Sequence, residues 1–504
     1  MRRRIGALSI AVAAVALIGL AARIQVASSL PLNGDEAMTG LMARETLRGE
    51  PSWLVVGNAY GGTAETFLAA PLLALLPTSE AALRGVFIAL WAAAAVLLGL
   101  SARRLVDTPT AALVACTYWL FSWSTISLSI RAYSGYAAGA VAFAGWLLLQ
   151  IDDVSMVQPE STGAPKLNVT LRRVALGGLA GFAVWQHPLF LAPLVPGLLT
   201  AAAAHRRQLL RWASAVGCGI LIGILPFLLY NVLHSWPSLT EPPTPSDWTY
   251  AYRLANLFSL GLPRALGLRL GDATFRAGET APWVGGLWGY GLAMATGLLV
   301  AGAFALAARR PGPARLIGVT GLVSPFLLAL FRNSIRNVDG RHVALFYPFL
   351  ALLALALALQ TWRPAWRPRP LLVAALPLVW ALIFSLPGLL LERRPWAIAK
   401  LPQVVASLDA AGVRFVRADH WMAYPLTFAT DERILATELV LVRFPRYEAA
   451  VAAAGSSVAY VFREDSSERL ELREALAGDP RFQRLNIGIW IVYIPRQIPR
   501  QRPA

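Results

Sequence analysis

Apolar blocks of roughly 17–25 residues, the length a helix needs to cross a bilayer, recur along most of this chain. That spacing constrains the fold more than any other feature, because only a bundle of membrane helices satisfies so many such blocks at once. Composition agrees. The chain has 504 residues, 57% of them hydrophobic and 14% charged, too little charge to cover the surfaces of several soluble domains. The same figures exclude disorder, and two cysteines exclude a disulfide scaffold.

The formal charge of +17 does not point to nucleic acid. From residue 392 onward there are 16 basic and 13 acidic residues, so most of the excess lies in the apolar part. There it sits in short turns: Arg103-Arg104, Arg206-Arg207-Arg211, Arg309-Arg310-Arg315 and Arg363-Arg367-Arg369. This is the positive-inside pattern of cytoplasmic loops. Cys116 and Cys218 fall in apolar spans, and no Cys/His cluster points to a metal.

The N-terminal Met1-Arg2-Arg3-Arg4 precedes an apolar run from Ile5 to about Val26. It is longer than the usual core of a signal peptide, which favours a retained first helix over cleavage near Ala27. Further spans are expected near 81–101, 109–128, 134–151, 174–186, 188–204, 212–231, 283–307, 316–331, 343–361 and 371–391, about eleven in all. With a cytoplasmic N-terminus every strongly basic turn falls inside. Segments 28–80 and 232–282, and everything after 391, fall outside. The second of these is rich in Pro, Trp and Tyr and reads as an ordered external loop.

The expected fold class is therefore a mostly α, polytopic membrane protein, residues 1–391, carrying a small extracytoplasmic α/β domain at 392–504. In that tail a helix is expected at 397–411, strands at 413–416, 458–462 and 486–494, and a polar helix at 466–477. Neither a dinucleotide fingerprint nor a Walker A sequence is present.

The first external loop carries the most chemistry. Asn33-Gly34-Asp35-Glu36-Ala37 follows the first span, and Tyr60-Gly61-Gly62-Thr63-Ala64-Glu65, an apolar helix and Arg84 come after it. Two adjacent carboxylates at a membrane boundary admit two compatible readings. Asp35 caps the helix that begins near Ala37, with Glu36 favouring its N-terminus; or Asp35 is a general base at the lipid–water interface.

Gly34-Asp35-Glu36-Ala37 after the first span, continued by Tyr60-Gly61-Gly62-x-x-Glu65-x-Phe67-Leu68-x-Ala70-Pro71 and Arg84, resembles the GT-C membrane glycosyltransferases. The closest branch is the protein O-mannosyltransferase, aminoarabinose transferase and RgtA/B/C/D-like group. Trp185-x-His187-Pro188 and Arg341-His342 resemble recurrent features of that group, the latter usually seen as Arg-Tyr. The resemblance covers roughly residues 5–390. It implies a transferase that takes a sugar from a polyprenyl-phosphate-linked donor on the external face, with Asp35 as the base that deprotonates the acceptor. A carrier phosphate leaves without a strong general acid, so one carboxylate and cationic stabilisation of the phosphate suffice.

Candidate cations are arginines on the side where few are expected. Arg332, Arg336 and Arg341 lie in the turn before the tenth span, and Arg131 lies between the third and fourth spans. Arginine suits a fixed phosphate because its planar donors bind oxygens in pairs; attraction to anionic headgroups or pairing with Asp339 is the plainer alternative. Tyr60, His187 and His342 are further candidate substrate contacts. Glu36 and Glu65 are possible acceptor contacts, with a structural role favoured for both. His187, beside Pro188, also fits a helix-end hydrogen bond. The family pattern often has a second acidic residue in the Arg131–Tyr133 loop, and here there is none, so no cofactor and no essential metal are expected.

In the tail, Arg417-Ala418-Asp419-His420-Trp421 through Phe428 could line a sugar site, although packing explains those residues better. The expected partners are a lipid-linked sugar donor, an envelope acceptor (lipid, polysaccharide or protein) and membrane lipids, not nucleic acid. Alanine- and arginine-rich usage points to the inner membrane of a high-GC bacterium. A transporter or flippase of lipid-linked glycans is the competing class. It fits less well because the spans are nearly free of Asp, Glu and Lys and show no internal repeat. A ligase-type glycan transferase independent of Asp35 is the third reading.

Overall fold

The computed structural model describes residues 2–121, 123–156, 166–240, 249–266, 286–331, 340–385, 400–464, 466 and 469–496. The chain is a mostly α, polytopic membrane protein with a small sheet near its C-terminus. The helices are α1 (Arg2–Ser29), α2 (Gly34–Leu47), α3 (Ala64–Leu75), α4 (Glu80–Arg103), α5 (Thr108–Leu120), α6 (Trp123–Ile130), α7 (Ala137–Ser155), α8 (Lys166–Gln186), α9 (Leu191–Ala204) and α10 (Leu209–Leu233). Short helices α11 (Pro237–Thr240), α12 (Tyr250–Asn256) and α13 (Leu262–Ala265) precede α14 (Gly286–Ala308) and α15 (Pro313–Leu328). Then come α16 (Arg341–Ala344), α17 (Tyr347–Trp362) and α18 (Pro370–Trp380).

Each expected span carries helix. Among the described residues five stretches are long and apolar enough to cross a bilayer: Gly6–Ser29, Glu80–Arg103, Ala137–Ser155, Arg206–Leu233 and Gly291–Ala308. Shorter apolar helices include Pro188–Ala204, Pro313–Leu328, Tyr347–Trp362 and Pro370–Ile383. The expected span 109–128 is not one continuous helix: α5 ends at Leu120 and α6 begins at Trp123.

Small residues let two helices touch along their backbones, as membrane packing favours. On α8 and α10 a Cβ at Gly177 would lie 2.0 Å from the Val216 carbonyl oxygen, and one at Gly223 would lie 2.1 Å from that of Gly178. Arg23, Asp152 and Asp153 inside the bundle each have polar partners. Arg23 of α1 is buried, donates to Ser129 Oγ at 2.7 Å and to the Trp119 carbonyl at 2.8 Å, and lies over the Trp119 ring. Asp153 of α7 accepts from Trp212 Nε1 at 2.9 Å and lies 2.7 Å from His205 Nε2, and Asp152 pairs with Arg104 at 2.9 Å. These contacts bind one end of α4, α7 and α10; near the other end of α4, Arg84 pairs with Glu36 of α2.

Among the described residues five strands form one sheet: β1 (Phe415–Ala418), β2 (Leu435–Glu438), β3 (Val458–Arg463), β4 (Phe482–Ile487) and β5 (Trp490–Pro495). Their order is β2-β1-β3-β5-β4, with β1 parallel to β2 and β3, and β5 antiparallel to β3 and β4. Helices α19 (Leu401–Ala410), α20 (His420–Ala429), α21 (Pro445–Ala453) and α22 (Leu470–Ala477) complete the unit. Two expectations change here. The strand region 486–494 is a hairpin turning at Gly488, whose φ of +63° suits a tight turn; and β2, α20 and α21 are elements the sequence pattern did not mark.

This unit sits on α2. Arg44 donates to the Phe428 carbonyl at 3.0 Å and pairs with Asp431 at 3.2 Å, while Arg48 pairs with Glu432 at 2.5 Å. A Cβ at Gly40 would lie 2.4 Å from the Phe428 ring.

Candidate active site

The first helical turn of α2 sorts the two adjacent carboxylates. Asn33 is the N-cap: its Oδ1 accepts from the Glu36 amide at 3.0 Å, and Glu36 Oε2 accepts from the Asn33 amide at 3.2 Å. This reciprocal capping box satisfies two N-terminal donors. The reading of Asp35 as the cap is therefore corrected: the helix starts at Gly34, three residues earlier than expected, and the Asp35 side chain is left available. Successive helical residues point about 100° apart, so Glu36 is wholly buried while the Asp35 side chain is 41% exposed.

Glu36 is fixed from all sides. Arg84 donates Nε to Oε1 at 2.8 Å and Nη2 to Oε2 at 3.0 Å; Arg131 donates Nη1 to Oε2 at 2.8 Å; the Ala132 amide donates to Oε1 at 3.1 Å. Burial alone would raise its pKa, but the charges and hydrogen bonds of Arg84 and Arg131 hold it at about 2. Arg131 is thus directed at Glu36, and also donates to the Pro31 carbonyl at 3.2 Å. Glu65, likewise buried, accepts from the amides of Gly135 and Ala138 at 3.0 and 2.9 Å, tying α3 to the start of α7. Burial pushes it up to about 7 against those donors.

Tyr60 and its glycines dock on the α8–α9 bend. The Gly62 amide donates to the Gln186 carbonyl at 2.9 Å, and a Cβ at Gly62 would lie 2.4 Å from Gln186 Nε2. Tyr60, 39% exposed, meets His187 edge-on with centroids 5.8 Å apart. His187 also stacks on Tyr136 at 5.2 Å and accepts from the Leu189 amide, so it both caps the turn and faces the site. Burial, then the charges of His342 and Arg341, keep His187 neutral, well below its ordinary pKa. Tyr136 Oη lies 3.3 Å from His342 Nε2, Arg341 lies over the Tyr133 ring, and Asn33 Nδ2 donates to Tyr133 Oη at 2.9 Å.

The structure thus gathers Asp35, Tyr60, His187, Arg341 and His342 at one end of the bundle, with Tyr133 and Tyr136 between them. Glu36, Glu65 and Arg131 lie beneath, bracing the elements that carry the site. Arg332 and Arg336 lie outside the described residues. Among those described, no group of three or more His, Cys, Asp or Glu could hold a metal ion.

The C-terminal unit adds three residues: His420, from the 417–428 run that packing explains better at the level of sequence, and Glu438 and Arg443, which the sequence reading does not single out. His420 follows β1 and Glu438 ends β2, so both stand at the carboxyl edge of a parallel pair, where open α/β sheets present ligand-binding groups. His420 Nε2 lies 3.3 Å from Asp35 Oδ1, and Nδ1 lies 2.9 Å from Glu438 Oε1. Arg443 donates Nε to Glu438 at 2.7 Å and Nη1 to the Val56 carbonyl at 3.3 Å. Burial acts to raise the Asp35 pKa; the His420 hydrogen bond and charge outweigh it, with Arg341 and Arg443, and the net effect is a lowering. Burial would depress His420, but bonds to the two carboxylates raise it to about 9. At neutral pH this is a carboxylate facing an imidazolium.

Beside the bend, Trp53, Phe67, Leu179, Phe182, Trp185 and Ile222 line much of an apolar groove of about 750 Å³. Trp185 Nε1 donates to the Trp53 carbonyl at 3.0 Å and leads directly into Gln186 and His187.

No family model matches the chain, and no curated protein matches it by sequence. Solved structures do match by fold. The apo crystal structure of ArnT, an aminoarabinose transferase from Cupriavidus metallidurans, aligns over 96% of this chain and 97% of its own, with a TM-score of 0.59 and 13% identity. The same protein bound to undecaprenyl phosphate aligns over the same shares, with a TM-score of 0.58 and 12% identity. The apo oligosaccharyltransferase of Archaeoglobus fulgidus aligns over 92% of this chain and 70% of its own, with a TM-score of 0.51 and 12% identity. Over most of its length the chain has the fold of these membrane proteins.

Proposed function

We propose that this chain is an integral-membrane glycosyltransferase, moving a sugar from a polyprenyl-phosphate-linked donor to an envelope acceptor on the external face of a bacterial inner membrane, with inversion at the anomeric carbon. The observation that carries this reading is Asp35. It is ionised, partly exposed and bonded through Oδ1, and among the described residues Oδ2 has no hydrogen-bond partner.

The acceptor oxygen or nitrogen attacks C1 of the sugar and gives its proton to Asp35 Oδ2. The bond from C1 to the carrier phosphate breaks, and the polyprenyl phosphate leaves with the electron pair. Arg341, whose charge reaches both Asp35 and Tyr60, stabilises the leaving phosphate. Tyr60, His187 and His342 contact the sugar with polar edges on aromatic bodies. The apolar groove beside Trp185 takes the prenyl chain, bringing lipid and phosphate to one bend. The fold shared with ArnT, one of whose crystal structures holds undecaprenyl phosphate, supports this donor class.

Mass spectrometry of envelope glycans and polyprenyl-linked sugars tests the proposal, comparing a strain lacking the gene with the complemented strain. The expected result is one missing glycan substituent and accumulation of its lipid-linked donor. Unchanged glycans and donor in the deletion strain would overturn the proposal.

A further inference from the structure

Asp35 is hydrogen-bonded to the C-terminal unit by His420, 385 positions away in the chain. His420 stands between two carboxylates, Asp35 of α2 on Nε2 and Glu438 of β2 on Nδ1, so its ring orientation is fixed from both sides. Glu438 is itself fixed by Arg443, which reaches back to the first loop at Val56. The approach is built into both surfaces: a Cβ at Gly34 would lie 2.8 Å from His420 Nε2 and 2.8 Å from the His420 carbonyl oxygen. The residue preceding Asp35 is a glycine where this imidazole passes.

A docking role alone does not account for the arrangement. The unit is already held on α2 by Arg44 to the Phe428 carbonyl and Asp431, and by Arg48 to Glu432. A simple latch needs no second carboxylate behind the imidazole. Carboxylate–imidazole–carboxylate order is what sets the direction and charge of a histidine against a reacting group.

We propose that His420, backed by Glu438, is a positioning residue for Asp35: it engages Oδ1 and leaves Oδ2 turned to the acceptor, so that the reaction site is incomplete without the C-terminal unit. This rests on the transferase reading of Asp35. While Asp35 is ionised, the imidazolium carries its countercharge. When Asp35 takes the acceptor proton on Oδ2, that pairing is lost and the proton is readily given back to water. The groups facing His420 are Asp35 from α2, Glu438 from β2, and Asp419, Trp421 and Tyr424 from its own helix and cap. Arg443 lies behind Glu438, and Arg341 and Tyr60 lie across Asp35. His420 opposes the burial that otherwise raises Asp35, so its charge sets how far into acid Asp35 stays ionised.

The test uses the full chain in native membranes, with their own lipid-linked donor and acceptor. Product is measured by mass spectrometry from about pH 3 to about pH 7, a window that starts below the ordinary aspartate value and so contains the acid limb. Wild type, Asp35→Asn, His420→Gln and Glu438→Gln are compared at matched abundance. In His420→Gln the acid limb of the profile moves up by about one to three pH units, the usual effect of removing an adjacent opposite charge. The loss is greatest in acid and shrinks as pH rises; Glu438→Gln gives a smaller move in the same direction. An acid limb of His420→Gln that coincides with wild type overturns the proposal, whatever the overall rate. Wild-type product from Asp35→Asn overturns the transferase reading instead.

A second measurement needs no activity. The chain has five histidines, so His420 is assignable in a histidine-labelled NMR titration of the detergent-solubilised protein. Its midpoint falls in Asp35→Asn and again in Glu438→Gln. A midpoint unmoved by both substitutions overturns the proposal even where His420→Gln fails to fold.

Discussion

The Arg84 guanidinium clasps the Glu36 carboxylate with two hydrogen bonds of 2.8 and 3.0 Å, both side chains buried, and so pins the start of α2 to the start of α4. The same guanidinium closes the chain between α1 and α2 by donating to the carbonyls of Ala27, Leu30 and Pro31. Asp35 is one residue from this anchor and inherits its rigidity.

Breaking that pair from one side is expected to be costly. Arg84→Ala leaves a buried carboxylate short of its main countercharge and is predicted to destabilise the protein by about 3–5 kcal/mol. Thermal unfolding of the purified protein checks this. The Glu36 pKa is lowered to about 2, so its contribution is complete above the ordinary 4.5 and is lost as pH falls toward 2. In Arg84→Ala that acid dependence moves to higher pH.

Glu65 has the opposite sign. Both of its oxygens accept backbone amides at the start of α7, and a glutamine offers only one acceptor. Glu65→Gln is predicted to cost about 1–3 kcal/mol. Because burial pushes the carboxyl up to about 7, its contribution is complete below the ordinary 4.5 and is lost as pH rises through 7. The glutamine variant does not show that dependence, which stability measured across the window will reveal.

Gly34→Ala tests the contact between the two parts of the chain. Its Cβ would strike both the His420 ring and the His420 carbonyl, so α20 must shift away from α2. We expect intact membrane insertion, faster limited proteolysis between 400 and 496, and a product yield reduced at least about tenfold, the cost expected of a misplaced catalytic group. Gly85→Ala, where nothing lies within 4 Å, is the matched control and is expected to behave as wild type.

Much of the helical frame was legible because hydropathy alone sets where a chain can enter a bilayer. The α2 start is written in the Asn33-x-x-Glu36 capping box, which the adjacent acidic pair masks by offering Asp35 as an equally good cap. Tyr60, His187, Arg341 and His342 carried local signals: a tyrosine before two glycines, a bend at proline, arginine on an unexpected side. His420 falls in the 417–428 run that admits a sugar site but is read better as packing; Glu438 carries no signal. Asp419-His420-Trp421 reads as the aromatic, polar edge of a packed α/β unit, and Glu438 ends a four-residue strand that periodicity does not mark. Their meeting with Asp35 depends on how the sheet docks on α2, which no local pattern encodes.

The central claim is that Asp35 takes the proton from the acceptor. Asp35→Asn keeps size and shape, removes the charge and leaves the Glu36–Arg84 anchor untouched. Envelope glycans and polyprenyl-linked sugars should therefore be measured in strains carrying wild type, the deletion, or Asp35→Asn at matched membrane abundance. The account predicts that Asp35→Asn loses the same glycan as the deletion while the lipid-linked donor accumulates. Wild-type glycans in the Asp35→Asn strain, with loss only in the deletion, would contradict it.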